Sequence, residues 1–189
     1  IEHDGFLRYF SNTTWSIGAR VISQIISFIV TAYIVRYLGP SNYGQLSYAV
    51  SFVGIFGVLS TLGIDSILYR SLIEHKDKHR EYLGSALVLK LIAGTATYLI
   101  TVLFAFYLVP HEDISHWLIW IISFTYIVNA FNIITFEFQA HVDQKIVSII
   151  SMFVLAILSA LKLVVVFANQ GIIYFAFILV LESILYVVT

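Results

Sequence analysis

Five ionisable side chains lie inside long apolar stretches of this 189-residue chain. They are Arg20, Asp65, Lys90, Lys162 and Glu182. Placing one such charge at the centre of a bilayer costs about 2.5–3.5 kcal/mol even on the most lenient insertion scale. These side chains must therefore face protein or water rather than lipid tails, which makes each of them a candidate for binding or coupling chemistry.

Three of the charges are predicted to share one depth. Each of the three lies roughly 7–12 Å from the cytoplasmic end of its predicted helix, at about 1.5 Å rise per residue. They are Arg20, Asp65 and Lys90. One interpretation is a structural ion pair between Asp65 and either cation. The other is a cationic pocket, because two positive groups and one carboxylate leave a positive surplus that suits an anionic ligand.

The other two charges are predicted to lie elsewhere in the bilayer. Glu182 is ten residues into the last apolar stretch and falls near mid-membrane, where it is a candidate to carry a coupling cation or a proton. Lys162 is close to the outer end of its stretch, so we expect its ammonium group to reach water as a solvated anchor.

Uncharged polar residues recur at steps of three or four in the same stretches, which places them on one face of each helix. In the fourth stretch they include Asn129 and Asn132, which we assign with the cations to a substrate-binding face. Most of the other stripes consist of serine, threonine and glycine. For those, close helix packing and hydrogen bonding between helices is the alternative interpretation.

The elements that hold these residues are membrane-spanning helices. Of all residues, 60% are hydrophobic and only 11% are charged, whereas a soluble domain carries about 25% charged residues. This composition excludes a soluble enzyme, a nucleic-acid-binding protein and a disordered chain. The apolar runs approach or exceed the roughly 20 residues that a helix needs to cross a bilayer, and they are too long and continuous for the strands of a membrane barrel.

We therefore predict an all-α polytopic bundle, a single transmembrane domain over 1–189. Its six helices are expected near 12–37, 46–70, 83–108, 117–138, 146–167 and 172–189. Leu38-Gly39-Pro40 is expected to end the first helix, because glycine suits a left-handed C-cap and proline follows it. Because the chain starts at Ile1 and stops in an apolar run, we expect it to be part of a longer protein.

The distribution of Lys and Arg in the short loops predicts the orientation. Six cations lie on one side, namely Arg8, Arg70, Lys76, Lys78, Arg80 and Lys145, and only Arg36 lies on the other. This asymmetry places the N-terminus and the loops 71–82 and 139–145 in the cytoplasm. Trp117 and Trp120 are then expected at the outer interface.

Motifs for covalent or nucleotide-driven chemistry are missing from the sequence. There is no cysteine, and neither G-x-S-x-G, Walker A nor H-E-x-x-H occurs. His75 with His79, and Glu137 with His141, are each only two ligands and make a poor metal site. We expect no enzyme activity, no metal and no cofactor.

Several segments together resemble the N-terminal part of the polysaccharide (O-antigen type) flippases of the multidrug/oligosaccharidyl-lipid/polysaccharide exporter superfamily. They are Arg36-Tyr37-Leu38-Gly39-Pro40-Ser41-Asn42-Tyr43-Gly44, Leu62-Gly63-Ile64-Asp65-Ser66 with Arg70, Trp15 with Arg20, and Tyr82-Leu83-Gly84. The resemblance extends over essentially the whole chain. Its motif at 36–44, a turn with glycines and tyrosines, is moderately specific.

The resemblance implies one six-helix lobe of a two-lobe bacterial inner-membrane transporter. Such proteins move polyprenyl-diphosphate-linked oligosaccharides from the cytoplasmic to the periplasmic leaflet by ion-coupled alternating access, among membrane lipids and with other polysaccharide assembly proteins as possible partners. It implies Arg20 and Lys90 as ligands of the diphosphate, because arginine can clamp phosphate groups in a bidentate manner and lysine acts as a point charge.

Two other functions are compatible with the sequence. A cation-coupled multidrug exporter of the same superfamily would depend chiefly on Asp65 and Glu182. A non-transporting membrane scaffold of a polysaccharide assembly complex would use the charges only to pair with each other.

Overall fold

The computed structural model of the chain describes residues 2–61, 79–110, 113–133 and 144–187. Within these ranges the secondary structure is helical without strands, which confirms the predicted all-α class. The helices are α1 (Glu2–Thr61), α2 (His79–Leu108), α3 (Ile114–Ser123), α4 (Thr125–Asn129), α5 (Gln144–Phe167) and α6 (Ile172–Val187).

The first two predicted spans form one long helix with a kink. Gly39 has φ 71° and ψ 173°, a combination open essentially to glycine alone. Pro40 follows without an N–H to donate, and the Asn42 side-chain amide donates to the Leu38 carbonyl at 3.1 Å. The expected break at Leu38-Gly39-Pro40 is therefore present, and it divides α1 into a first segment (2–38) and a second segment (40–61).

The fourth predicted span, 117–138, differs from expectation, because it is not one regular helix. Phe124 and Ala130–Phe131 interrupt it, and the N–H groups of Phe124 and Ala130 donate to carbonyls only three residues earlier, at 3.2 and 3.3 Å. The stretch 121–129 is rich in β-branched and aromatic residues of low helix propensity. In addition, the Ser123 hydroxyl donates to the Trp120 carbonyl at 3.1 Å and so competes with the regular pattern.

One end of the bundle is held together by polar contacts between its turns. We name it the kink end, and it comprises the kink at Gly39, residues 109–110 and 113 between α2 and α3, and the turn 168–171. The Tyr37 hydroxyl donates to the Gln170 carbonyl at 2.9 Å, and the Gln45 amide donates to the Asp113 carboxylate at 3.2 Å. That carboxylate also caps α3 by accepting from the Ser115 N–H at 3.0 Å. Segment 36–44, which contributes to the family resemblance, and the nearby Gln45 therefore connect the kink to the rest of this end.

The apolar core is densest near the kink end and joins both segments of α1 to α2, α3, α4 and α6. Three helical stretches are long and apolar enough to cross a membrane: Arg20–Ser60, Tyr82–Leu108 and Val147–Phe167. Ile114–Asn129 and Ile172–Val187 are shorter apolar helices. Large apolar side chains such as Phe28, Val58 and Phe167 are mostly exposed, as expected where lipid surrounds the protein. The chain is a multi-pass membrane protein.

Candidate functional site

Arg20 lies at the end of a stripe that faces the bundle. Leu38, Ile34 and Val30 follow one another at steps of four residues in α1 and are buried near the kink end. The same stripe continues at steps of three and four through half-buried Ser23 to Arg20, which is exposed. Within the described part of the chain, no hydrogen bond or ion pair reaches Arg20.

The bundle-facing stripe of α6 shows the same change in exposure. Phe175 is 3% exposed and Ile178 is 7% exposed, whereas Glu182 is half-buried and Tyr186 is 40% exposed. The two stripes meet at the kink end, where the Tyr37 and Phe175 ring centroids are 6.4 Å apart. The two helices are thus packed together at the kink end, and their facing positions become accessible towards the other end. We name these accessible positions, Ser23 and Arg20 of α1 with Glu182 and Tyr186 of α6, the open face.

The predicted binding residues share a common depth. Arg20 and Lys90 each lie 18 residues before the kink-end terminus of their helix, and Asn132 lies 18 residues after the start of α3. At about 1.5 Å per residue, all three are about 27 Å from the kink end. This distance is close to the roughly 30 Å thickness of a hydrocarbon core, and we therefore expect the three residues near the boundary opposite the kink end. Asn129 lies one turn closer to the kink end.

Exposure separates the two cations. Lys90 is only 5% exposed and is engaged by an interaction partner. On the same side of α2, a Cβ at Gly94 would lie 2.6 Å from the Tyr126 carbonyl oxygen, and Ala86 shares a small buried cluster with Ile133. These two contacts bracket Lys90 against the irregular fourth span. The structure thus brings Arg20 and Lys90 to one level, but only Arg20 is exposed.

The two asparagines lie where the fourth span loses its regularity. Asn129 is the last residue of α4 and is exposed, and Asn132 follows the turn at 130–131 and is half-buried. Asp65, the carboxylate predicted at the same level, lies outside the described residues.

Lys162 and Glu182 form an ion pair, with Nζ 2.8 Å from Oε2. Lys162 is five residues before the end of α5 and Glu182 is ten residues after the start of α6, and the long lysine stem covers the difference in depth. Their side chains are 22% and 28% exposed. Lys162 was expected to be a solvated anchor; its ammonium group is partly exposed but is also held by a carboxylate of the neighbouring helix, a partner that was not predicted.

Sequence reasoning missed two residues near these groups. Tyr126 donates from its hydroxyl to the Val53 carbonyl and so joins the second segment of α1 to α4. Tyr186 lies one turn after Glu182 on the same face, a spacing that could have drawn attention to it. Among the described residues, no group of three or more His, Cys, Asp or Glu side chains could hold a metal ion.

Comparison with known proteins identifies relatives of the chain. The family described as polysaccharide biosynthesis protein matches residues 10–188. A putative O-antigen transporter of Shigella flexneri is 27% identical over 70 residues, which are 37% of this chain and 16% of that protein. The match thus covers only a small part of that relative's length. No solved structure matches the chain.

Proposed function

We propose, from the premise that this chain belongs to the polysaccharide biosynthesis protein family, that it forms part of a flippase for a lipid-linked glycan. The substrate is a polyprenyl-diphosphate-linked oligosaccharide, moved from the cytoplasmic to the periplasmic leaflet of a bacterial inner membrane for surface polysaccharide synthesis. The family and the O-antigen transporter relative support this choice over a multidrug exporter.

The exposed Arg20 is the observation that carries the proposal. Within the described residues its guanidinium has no carboxylate partner. Its position on a bundle-facing stripe about 27 Å from the kink end supports contact with a diphosphate near the boundary of the hydrocarbon core. Arginine offers a planar fork of N–H donors that binds phosphate oxygens in a bidentate manner. The half-buried Asn132 at the same depth and Asn129 one turn closer to the kink end add uncharged donors and acceptors.

Lys90 has a different part in this proposal. Because it is buried against the fourth span and already engaged by another group, it does not contact the ligand in this conformation. Direct contact would require the irregular stretch 124–131 to move away from α2.

Ion coupling needs a carboxylate that can exchange a cation or a proton. Glu182 is already neutralised by Lys162 in this conformation, so it can take this role only when the pair opens. Asp65 is then the better candidate for coupling, and a pairing role suits Glu182.

Replacing Arg20 tests the function. In the full-length protein, Arg20→Ala removes a charge-assisted contact of about 1.5–3 kcal/mol, so we expect transport at limiting substrate to fall about 10- to 100-fold. Surface polysaccharide, quantified in cells that lack the chromosomal gene, is the readout. Arg36→Ala is the matched control, because Arg36 is also exposed on α1 but lies at the kink end.

Arg20→Lys should retain more activity than Arg20→Ala, because lysine keeps the positive charge but lacks the planar set of N–H donors of arginine. Surface polysaccharide at the wild-type level with Arg20→Ala would refute the binding assignment and favour a non-transporting scaffold.

A further inference from the structure

The Lys162–Glu182 pair leaves much of its hydrogen-bonding capacity unused. An ammonium group has three donors and a carboxylate has two acceptor oxygens, and the pair uses one donor and Oε2. Within the described residues neither side chain has a second hydrogen-bond partner. The exposed part of the pair therefore presents strong donors and a strong acceptor side by side.

The exposed side of this pair faces the bundle rather than lipid. Glu182 continues the stripe of Phe175 and Ile178, which are buried among other helices. The exposed apolar side of α6, which we name the lipid-type face, includes Phe177, which is 56% exposed. Because Phe177 is five residues from Glu182, it lies about 140° away around the helix. Since charges at this depth avoid lipid tails, the open face at Glu182 is expected to be wet.

Tyr186 adds an aromatic ring beside the pair. It lies one turn beyond Glu182 on the same face and is 40% exposed. Its ring is apolar on both faces and its hydroxyl can donate and accept. A ligand that suits all three residues carries several hydroxyl groups, which both donate and accept, on a ring with apolar C–H faces.

We propose that Lys162, Glu182 and Tyr186 form a contact site for the sugar rings of the glycan. The inference rests on the proposed function and deepens it, because it separates recognition of the glycan from recognition of the diphosphate. The acidic and basic side chains bind hydroxyl groups, and the tyrosine ring packs on a sugar face.

Depth gives the proposal a specific geometric consequence. At about 1.5 Å per residue, Lys162 and Glu182 lie about 8 and 15 Å from the kink end, whereas Arg20 lies about 27 Å from it. A carrier lipid bound through its diphosphate at Arg20 must extend its glycan over about 12–19 Å to reach the pair. A complete oligosaccharide spans this distance, and a single sugar does not.

Thiol labelling tests this consequence, because the 189 residues contain no cysteine. The variants are made in the full-length protein, with any cysteine elsewhere replaced. The labelling rate of Ser183→Cys measures access to the Lys162–Glu182 pair, and the labelling rate of Gln24→Cys measures access to the region of Arg20. Ser183 is half-buried beside Glu182, and Gln24 is exposed one turn from Arg20. Phe177→Cys on the lipid-type face is the matched control.

The probe is the water-soluble reagent 2-sulfonatoethyl methanethiosulfonate, applied to inside-out vesicles. The vesicles come from cells that make the complete lipid-linked glycan, only the first sugar on the lipid diphosphate, or no lipid-linked sugar. We expect labelling of Gln24→Cys to slow in both sugar-containing preparations. Labelling of Ser183→Cys should slow about tenfold, as for a site with 90% occupancy, only with the complete glycan. Phe177→Cys should react only with a lipid-soluble maleimide.

Three results would overturn the inference. The first is an equal labelling rate of Ser183→Cys in all preparations, the second is protection by the single-sugar carrier, and the third is reaction with the lipid-soluble reagent alone. If Gln24→Cys is still protected, the proposed function survives each of them. Loss of protection at Gln24→Cys would instead contradict the proposed function itself. Leu179→Cys, half-buried one turn before Glu182, replaces Ser183→Cys if that variant does not fold, and the same outcomes apply.

Discussion

Gly94 marks a close approach between α2 and the fourth span. A Cβ there would lie 2.6 Å from the Tyr126 carbonyl oxygen and 3.1 Å from its carbon, so backbone would have to shift. Tyr126 in turn donates its hydroxyl to the Val53 carbonyl. A glycine and a tyrosine thus hold three helices together, one turn from the buried Lys90.

Substitution of Gly94 is therefore predicted to be costly. Gly94→Ala should destabilise the protein by about 1–3 kcal/mol, as overpacking does, measured by thermal unfolding of the purified full-length protein in detergent. Gly84→Ala is the matched control on the same helix, because a Cβ there meets nothing within 4 Å. Equal melting temperatures for the two variants would contradict the close approach.

At this scale, residue spacing in the sequence did not predict the surroundings of each side chain. Arg20 and Lys90 were expected at one level, and both lie 18 residues from the kink-end terminus of their helix. Their difference in exposure depends on which helices pack on each side, and periodicity contains no such information. The ion pair of Lys162 was missed for the same reason, since its partner lies 20 residues away on the next helix.

The kink in α1 divides one long helix into the first two predicted spans. Pro40 cannot continue the hydrogen-bond ladder, and Gly39 adopts a backbone conformation that other residues avoid. Turn chemistry is local, and therefore this break was predictable from the sequence. The interruptions at Phe124 and Ala130 were not, because they reflect a run of weak helix formers without glycine or proline.

Replacing the kink glycine should strain the turn. Gly39→Ala is predicted to cost about 1–3 kcal/mol, because its φ of 71° and ψ of 173° suit only glycine. Gly44→Ala, in the helix beyond the kink with open space at its Cβ, should be neutral or slightly stabilising. Unfolding temperatures of the two variants give the comparison, and a neutral Gly39→Ala would contradict the kink geometry.

The α5–α6 hairpin depends on the Lys162–Glu182 pair. Glu182→Gln leaves an uncompensated ammonium group, and we expect a loss of roughly 1–2 kcal/mol, less than the 3–5 kcal/mol of a fully buried pair, because the pair is partly exposed. The swapped double variant, Lys162→Glu with Glu182→Lys, should regain most of this loss in the same unfolding assay. No recovery in the swap would show that the charges act independently.

Within the described residues the bundle is closed at the kink end, and the bundle-facing positions of α1 and α6 are more exposed towards the other end. Tyr37 with Gln170 and Gln45 with Asp113 connect the turns of the kink end, whereas the stripes that face each other become exposed towards Arg20 and Tyr186. The composition predicted a membrane bundle but not this difference between its ends. The difference arises from packing among helices that are far apart in sequence.

The orientation in the membrane is a prediction from the loop charges, and it can be tested directly. The excess of Lys and Arg away from Arg36 predicts that the kink end faces the periplasm. In intact cells, an impermeant maleimide should label Ser41→Cys at the kink end and should label Lys76→Cys only after lysis. The reverse pattern would place the open face outside and would contradict uptake of substrate from the cytoplasm.

The proposed function depends on binding of the lipid-linked diphosphate by Arg20. The most direct measurement is the amount of lipid-linked glycan that remains bound to the purified full-length protein, quantified after extraction. Arg20→Ala is predicted to retain at least about tenfold less than the wild type, the effect of about 1.4 kcal/mol, while Arg36→Ala retains the wild-type amount. Equal retention by Arg20→Ala and the wild type, or an equal loss in Arg36→Ala, would contradict the account.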